Sequence, residues 1–291
     1  MIKNPLAEVF GFPTDNLSTK AERFRNNKLC PFNNRVPSCT KDKANDPLGV
    51  CSIYHNEEIV VTCPIRFRQD WLVVEDAARF FFGKSKSWTS LSEVKLTDKH
   101  GGVAGNIDLV LVAYDQRGRI TDFGSLEIQA VYISGNIRRP FENYISNRKR
   151  GREMNWKGPN FPKPDFLSSS RKRLVPQMLY KGGILKAWEK KQAVVLQRSF
   201  FDTLPELKTV KLEEADIAWL LYDLQLDETG KQFNLTHAKT VYTEFAPALE
   251  KITTPEPGDV EDFVGELQER LDEKLDGHPP EAPTLTEIIT Q

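Results

Sequence analysis

Between Gly105 and Asn136 the apolar and polar positions fall into two strand-like runs around a turn. IDLVLVAYD is rich in β-branched and aliphatic residues, DQRG carries a turn signal, and SLEIQAVYI resumes the strand pattern. The pattern predicts a hairpin. Successive side chains of a strand alternate in direction, so Glu127 and Gln129 are expected on one face and Ile128 and Ala130 on the other. Asp108 can sit beside the first pair. Two carboxylates a few ångströms apart, with an amide neighbour, form an oxygen cage of the kind Mg²⁺ accepts, and they repel each other unless a cation lies between them. The alternative is that Asp108 merely opens a strand and that Glu127 and Gln129 lie on a solvated face.

Elsewhere the period changes. QDWLVVEDAARFFFG is apolar at helical spacing, with Trp71, Val74, Ala78 and Phe81 or Phe82 on one stripe and Gly83 as a stop. Glu75 on that helix and Glu93, which opens a short strand EVKLTD, are further candidate acids, each with a solvated-acid alternative. Beyond the hairpin a basic stretch containing Phe141, Tyr144, Trp156 and Phe161 reads as an extended loop, because Gly and Pro follow its densest charge. A helix is expected from Gly183 to Lys191, then a strand AVVLQ. A strand pair about DETG comes next, with a helical AKTVYTEFAPALEKI segment after it. VEDFVGELQERLDEKL places Phe263, Leu267 and Leu271 at helical spacing. These elements predict an α/β protein with a mixed β-sheet core flanked by helices. Three regions are expected: 1–70 with a small cysteine module, 71–252 as the core with its basic segment, and 253–291 as a helical acidic tail.

The net charge of −1 conceals a strong polarity along the chain. Residues 130–211 carry 18 Lys and Arg against 6 Asp and Glu, a net of +12, whereas residues 212–291 carry 5 against 19, a net of −14. A basic block directly after the candidate acids suits a polyanion, since Lys and Arg that neutralise phosphates release condensed counterions. A basic surface balanced by the tail is the alternative. Bidentate Arg on guanine is the commonest specific base contact, which makes Arg138, Arg139, Arg150, Arg152, Arg171 and Arg173 the candidate DNA-binding residues. No apolar run approaches the roughly 20 residues of a membrane span, and the first residues lack a signal-peptide layout, so a cytoplasmic location is expected.

All four cysteines, Cys30, Cys39, Cys51 and Cys63, fall within 34 residues at the spacing C-x8-C-x11-C-x11-C. That grouping favours a thiolate-bound metal over two disulfides in a reducing compartment. The intervening loop is poor in large apolar residues, so a metal clip is a plausible source of its order. Tight C-x2-C pairs are absent, which leaves the element open between zinc and another thiophilic metal, and four unrelated buried cysteines are the alternative.

The Asp108, Glu127 and Gln129 pattern resembles the PD-(D/E)xK nuclease superfamily, with Gln129 in the place of the usual Lys. Together with the four spaced cysteines and the KRLVPQMLYKGGILKAW segment, it resembles the NotI family of type II restriction endonucleases over most of residues 20–210. The resemblance implies a PD-(D/E)xK core and a catalytic Mg²⁺ bound by Asp108 and Glu127. It also implies structural iron on the four cysteines and recognition of double-stranded DNA at GC-rich palindromes built around GGCC. A palindrome presents two equivalent bonds, which points to a homodimer. Two other readings are a repair or modification-dependent nuclease of the same fold, and a metal-clipped DNA-binding protein without nuclease activity.

Overall fold

The computed structural model describes residues 4–34, 36–43, 45–84, 87–156 and 160–276. The end of the acidic tail, residues 277–291, lies outside the described residues. Residues up to Thr253 form one compact unit and residues from Thr254 a second.

The first unit is built on a mixed six-stranded sheet. Its strands are β7 (Ser87–Thr97), β8 (Val103–Tyr114), β9 (Ile120–Ile128), β12 (Gln192–Gln197), β13 (Ile217–Leu226) and β14 (Phe233–Thr243), in the order β14-β13-β12-β9-β8-β7. β12 runs parallel to both β9 and β13, and the remaining pairs are antiparallel. Since β12 is buried on both faces, its sequence is apolar without alternation. Val194 and Leu196 face one core, while Ala193 and Val195 face the other.

The helix Leu72–Phe82 covers the second of these faces, with Val73, Val74, Ala77, Ala78 and Phe80 in its core. The expected stripe is corrected at its start. Trp71 is the residue before the helix, has a left-handed backbone and is exposed, whereas Val73 and Ala77 carry the contact. Gly83 ends the helix as expected, at φ +69°.

The opposite face carries the N-terminal layer, a four-stranded sheet of β1 (Leu6–Val9), β2 (Phe12–Pro13), β5 (Val50–His55) and β6 (Glu58–Val61), in the order β2-β1-β5-β6. Two minor ladders flank it, β3 (Asp42–Lys43) with β4 (Asp46–Pro47) and β10 (Tyr132–Ser134) with β11 (Lys163–Asp165). Leu6, Val9, Val50 and Ile53 join Val194, Leu196 and Trp219 in one core, so the region expected over residues 1–70 packs into the same unit. Polar contacts tie the layers together. Val61 N–H donates to Gln197 Oε1 at 2.7 Å, and the fully buried Arg66 guanidinium bonds both Glu8 oxygens at 3.0 Å and the Phe233 carbonyl at 2.7 Å.

The basic segment differs most from its expected form. Instead of an extended loop it contains helices at Arg138–Ser146 and Arg148–Gly151, and a continuous helical run from Phe166 to Ala187. The helix expected at Gly183–Lys191 is the end of that run, and it stops at Ala187. Two stretches of the run, Ser170–Leu174 and Met178–Gly182, are wound as π-helix. Packing outweighs the charge here: Phe141, Tyr144, Leu174 and Met178 are buried in the main core. AKTVYT belongs to β14, and the helix that follows is Phe245–Thr253.

In the second unit Asp259 caps the helix Val260–Leu275 by accepting from Glu261 N–H. Phe263, Leu267 and Leu271 are exposed on it.

Candidate active site

β8 and β9 form the expected hairpin. At its turn Asp115 accepts from Arg117 N–H and Arg119 N–H, and Gly118 takes the left-handed conformation. Leu109 pairs with Leu126, which sets Asp108 across from Glu127 on the sheet face opposite the Leu72–Phe82 helix. Gln129 continues that face, and its N–H donates to the Val195 carbonyl at 2.9 Å. The three residues read from the sequence are thus brought together. Asp108 and Gln129 border a cleft of about 680 Å³ whose walls include Gln177, Arg173, Lys41 and Cys63, and Glu127 lies buried behind them.

Glu127 is 1% exposed. Burial and the neighbouring Asp108 push its carboxyl up to about 8, against the opposing pull of Lys181. Asp108 is raised for the same first reason, burial. The Ile128 N–H, which donates to Asp108 Oδ2 at 2.9 Å, and Lys181 offset part of that rise. The Lys181 ammonium stands 2.7 Å from Glu127 Oε2. That contact is a buried ion pair, and Glu127 Oε1 has no hydrogen-bond partner among the described residues. Leaving a buried carboxylate oxygen unpartnered costs about 1–3 kcal/mol or more. An oxygen-lined place for a cation resolves the cost, so the residues present fit a divalent ion.

The two further acids separate. Glu75 is exposed and lies 3.9 Å from Arg79 on its own helix, away from the pair. Glu93 lies in the middle of β7, not at the start of a short strand, and faces the Asp108 position between the Ser92–Leu109 and Val94–Ile107 pairs. Its charge raises Asp108. Glu93 also has φ +58°, a conformation a non-glycine residue rarely holds inside a strand.

The four cysteines are all free thiols, with Cys39, Cys51 and Cys63 buried and Cys30 half-buried. Burial pushes Cys30 up to about 11 and raises Cys39 and Cys51, and each of the three also feels at least one of the other thiols. Backbone N–H groups of Phe32 and Asn33 stabilise the Cys30 sulfur, and that of Lys41 the Cys39 sulfur. The thiols therefore share a neighbourhood. Among the described residues, however, no group of three or more His, Cys, Asp or Glu side chains is arranged to hold a metal ion.

Of the candidate arginines, Arg173 alone lines the cleft, stacked 3.5 Å from the centre of the Tyr132 ring. Arg138 is held by Asp42 at 2.5 Å and Asp46 at 2.7 Å, a tie to the cysteine segment. Arg152 pairs with Glu153 at 3.3 Å, and Arg150 borders a second, polar cleft with Asn143, Asn147 and Trp156. Arg139 and Arg171 are exposed.

The family profile described as restriction endonuclease NotI matches residues 15–235, which spans both the cysteine segment and the carboxylate hairpin. The chain belongs to the NotI restriction endonuclease family. No curated protein matches it. As a NotI-family member it is a type II site-specific deoxyribonuclease that binds and cleaves double-stranded DNA in a sequence-specific manner. The family also suggests a divalent metal cofactor. Among the described residues no helix is long and apolar enough to cross a membrane.

Lys181, which meets Glu127 beside the candidate site, is not among the residues to which the sequence pointed. Its signals were faint, a lysine followed by two glycines in an apolar helical segment.

Proposed function

We propose that this nuclease cuts a GC-rich palindrome by Mg²⁺-dependent phosphodiester hydrolysis, with the six-stranded sheet serving as a PD-(D/E)xK core. The buried Glu127 carboxylate, set across from Asp108 and met by a single lysine ammonium, carries the reading. Asp108 and Glu127 would hold the ion. A bound Mg²⁺ supplies a lowered pKa for the attacking water and charge stabilisation at the phosphate. Gln129 donates through Nε2 to Gln177 Oε1, which leaves its own carbonyl oxygen as the acceptor that orients the water.

Plasmid incubated with the pure protein and Mg²⁺ is the test. Discrete fragments support the proposal, smearing or structure-dependent nicking points to another task for the same fold, and a mobility shift without cleavage removes the catalytic reading. Gln129→Ala is expected to slow single-turnover cleavage by about 10²-fold, at the lower end of general acid–base contributions. An unchanged rate makes Gln129 a bystander.

Residues 130–211 form the proposed phosphate surface, and two protomers would place one site on each strand of the palindrome. Binding to non-cognate duplex should weaken with salt by about 0.9 in log K per phosphate contact for each unit of log salt. A slope worth one or two contacts returns the basic block to a surface balanced by the acidic tail.

The cysteines have thiol chemistry suited to a structural ion, iron by family resemblance and zinc by ligand type alone. A closed set of four thiolates offers no open position for water, so its part is to order residues 30–63. Elemental analysis should find about one transition metal per chain, lost in Cys39→Ser, with a lower Tm for the variant because binding and folding are coupled. A metal-free wild type with full activity removes this assignment.

A further inference from the structure

Lys181 is 2% exposed and has no part in the chemistry proposed above. Lysine is almost never fully buried without a partner, since the desolvation of its ammonium costs several kcal/mol. Three local features put it there. It lies in the π-helical stretch Met178–Gly182, and such single wide turns re-aim side chains and occur often at functional sites. Its aliphatic stem passes Gly105, where a Cβ would meet Lys181 Cδ at 3.6 Å and where φ is +129°. Its ammonium is then gripped from one side by the Asn106 carbonyl at 2.8 Å and faces Glu127 Oε2 at 2.7 Å on the other.

One ammonium stands against two carboxyl groups, Asp108 and Glu127, so the site is one positive charge short whenever both are ionised. A divalent ion would supply what is lacking, but it would approach the oxygen that Lys181 already faces. Ion and ammonium are then rivals for Glu127.

We propose that Lys181 is a positioning residue that occupies the cation place beside Glu127 in the ion-free enzyme and yields that oxygen when a divalent ion enters. This rests on the reading of Asp108 and Glu127 as ion ligands. The positive charge that Gln129 does not provide at the third motif position thus comes from a later helix, and it sets how tightly the ion is held before DNA arrives. The Asn106 carbonyl keeps the displaced ammonium within reach of the site.

Ca²⁺ titrated calorimetrically into the full chain without DNA tests the rivalry. Lys181→Met should bind Ca²⁺ at least about tenfold tighter than wild type, because a like charge a few ångströms from the ion is removed. Lys181→Gln should change in the same direction, and Glu127→Gln should lose the Ca²⁺ site. Equal or weaker Ca²⁺ binding by folded Lys181→Met or Lys181→Gln, with the site still lost in Glu127→Gln, overturns the proposal alone. Ca²⁺ binding that Glu127→Gln leaves unchanged overturns the ligand assignment as well. Wild-type protein gives an answer even where neither Lys181 variant folds: acylation of Lys181, followed by mass spectrometry, should rise on saturation with Ca²⁺. Labelling that Ca²⁺ does not alter counts against the exchange.

Discussion

Asp108→Ala and Glu127→Ala should each lower the single-turnover cleavage rate by on the order of 10³-fold or more, with binding of the duplex that wild type cuts retained in Ca²⁺. Loss of an ion that activates the water and neutralises the phosphate forfeits several kcal/mol of transition-state stabilisation, and each 1.36 kcal/mol is about tenfold in rate. Binding should survive because the role proposed for both carboxylates is to hold the ion and not to contact bases. Removal of a negative charge there does not weaken attraction for a polyanion. Fluorescence anisotropy and quenched-flow cleavage of the same duplex separate the two quantities. Near-normal cleavage by either variant would take that residue out of the site, whereas loss of both binding and cleavage would mean that the hairpin itself had collapsed.

A second large effect is expected on stability in EDTA. Burial pushes the Glu127 carboxyl up to about 8, above the ordinary glutamate value of 4.5, so the folded chain binds the proton that the unfolded chain gives up first. The sign follows from that order. Stability is fullest below about pH 4.5 and is lost as pH rises towards 8, on the order of 3–5 kcal/mol in all if the shift is carried by the pair. Asp108 is raised too, so the two carboxyls titrate together and the slope belongs to both. Glu127→Gln, which cannot ionise, should flatten the slope and be the more stable protein at pH 8 in EDTA. Ca²⁺ should restore much of the wild type's loss, because it favours the ionised pair. Denaturant melts at pH 5 and pH 8 check this, and a wild-type slope that Glu127→Gln leaves untouched would show the carboxyl to be solvated in solution.

The parts of the chain that could be read were those where one period governs. The β8–β9 hairpin, the apolar β12 and the strand pair around DETG each carry a strand pattern set by burial on one or both faces. The Leu72–Phe82 helix was legible in extent, and Val74, Ala78 and Phe82 of its expected stripe are buried, but Trp71 closes a kinked turn and lies outside the helix. Charge misled in the basic segment. Gly, Pro and a run of arginines suggested an extended arm, while Phe141, Tyr144, Leu174 and Met178 are spaced to bury and do bury.

The same cause hid Lys181. Two π-helical stretches add residues to the turn, so no 3.6-residue pattern distinguishes an inward lysine from its exposed neighbours. Glu93 was visible as an acid, but its place opposite Asp108 follows from the full length of β7, and a strand of that length with an exposed outer face gives a weak apolar signal. Arg138 illustrates the limit of reading charge as contact. Its partners, Asp42 and Asp46, lie almost a hundred positions earlier, and only the fold brings them together.

Strand alternation also decides where this chain can change length. From Asp122 to Leu126 the β9 strand is counted out residue by residue against β8, after a register shift at Thr121 next to the turn. One residue inserted or deleted between Asp122 and Leu126 would turn Glu127 towards the Leu72–Phe82 helix and bring an apolar side chain to its place. The turn itself touches neither face. Variation in length among related chains should therefore collect in the loop at the far end of the hairpin and at the shift beside it, while the five positions from Asp122 to Leu126 keep their number even where their identities drift.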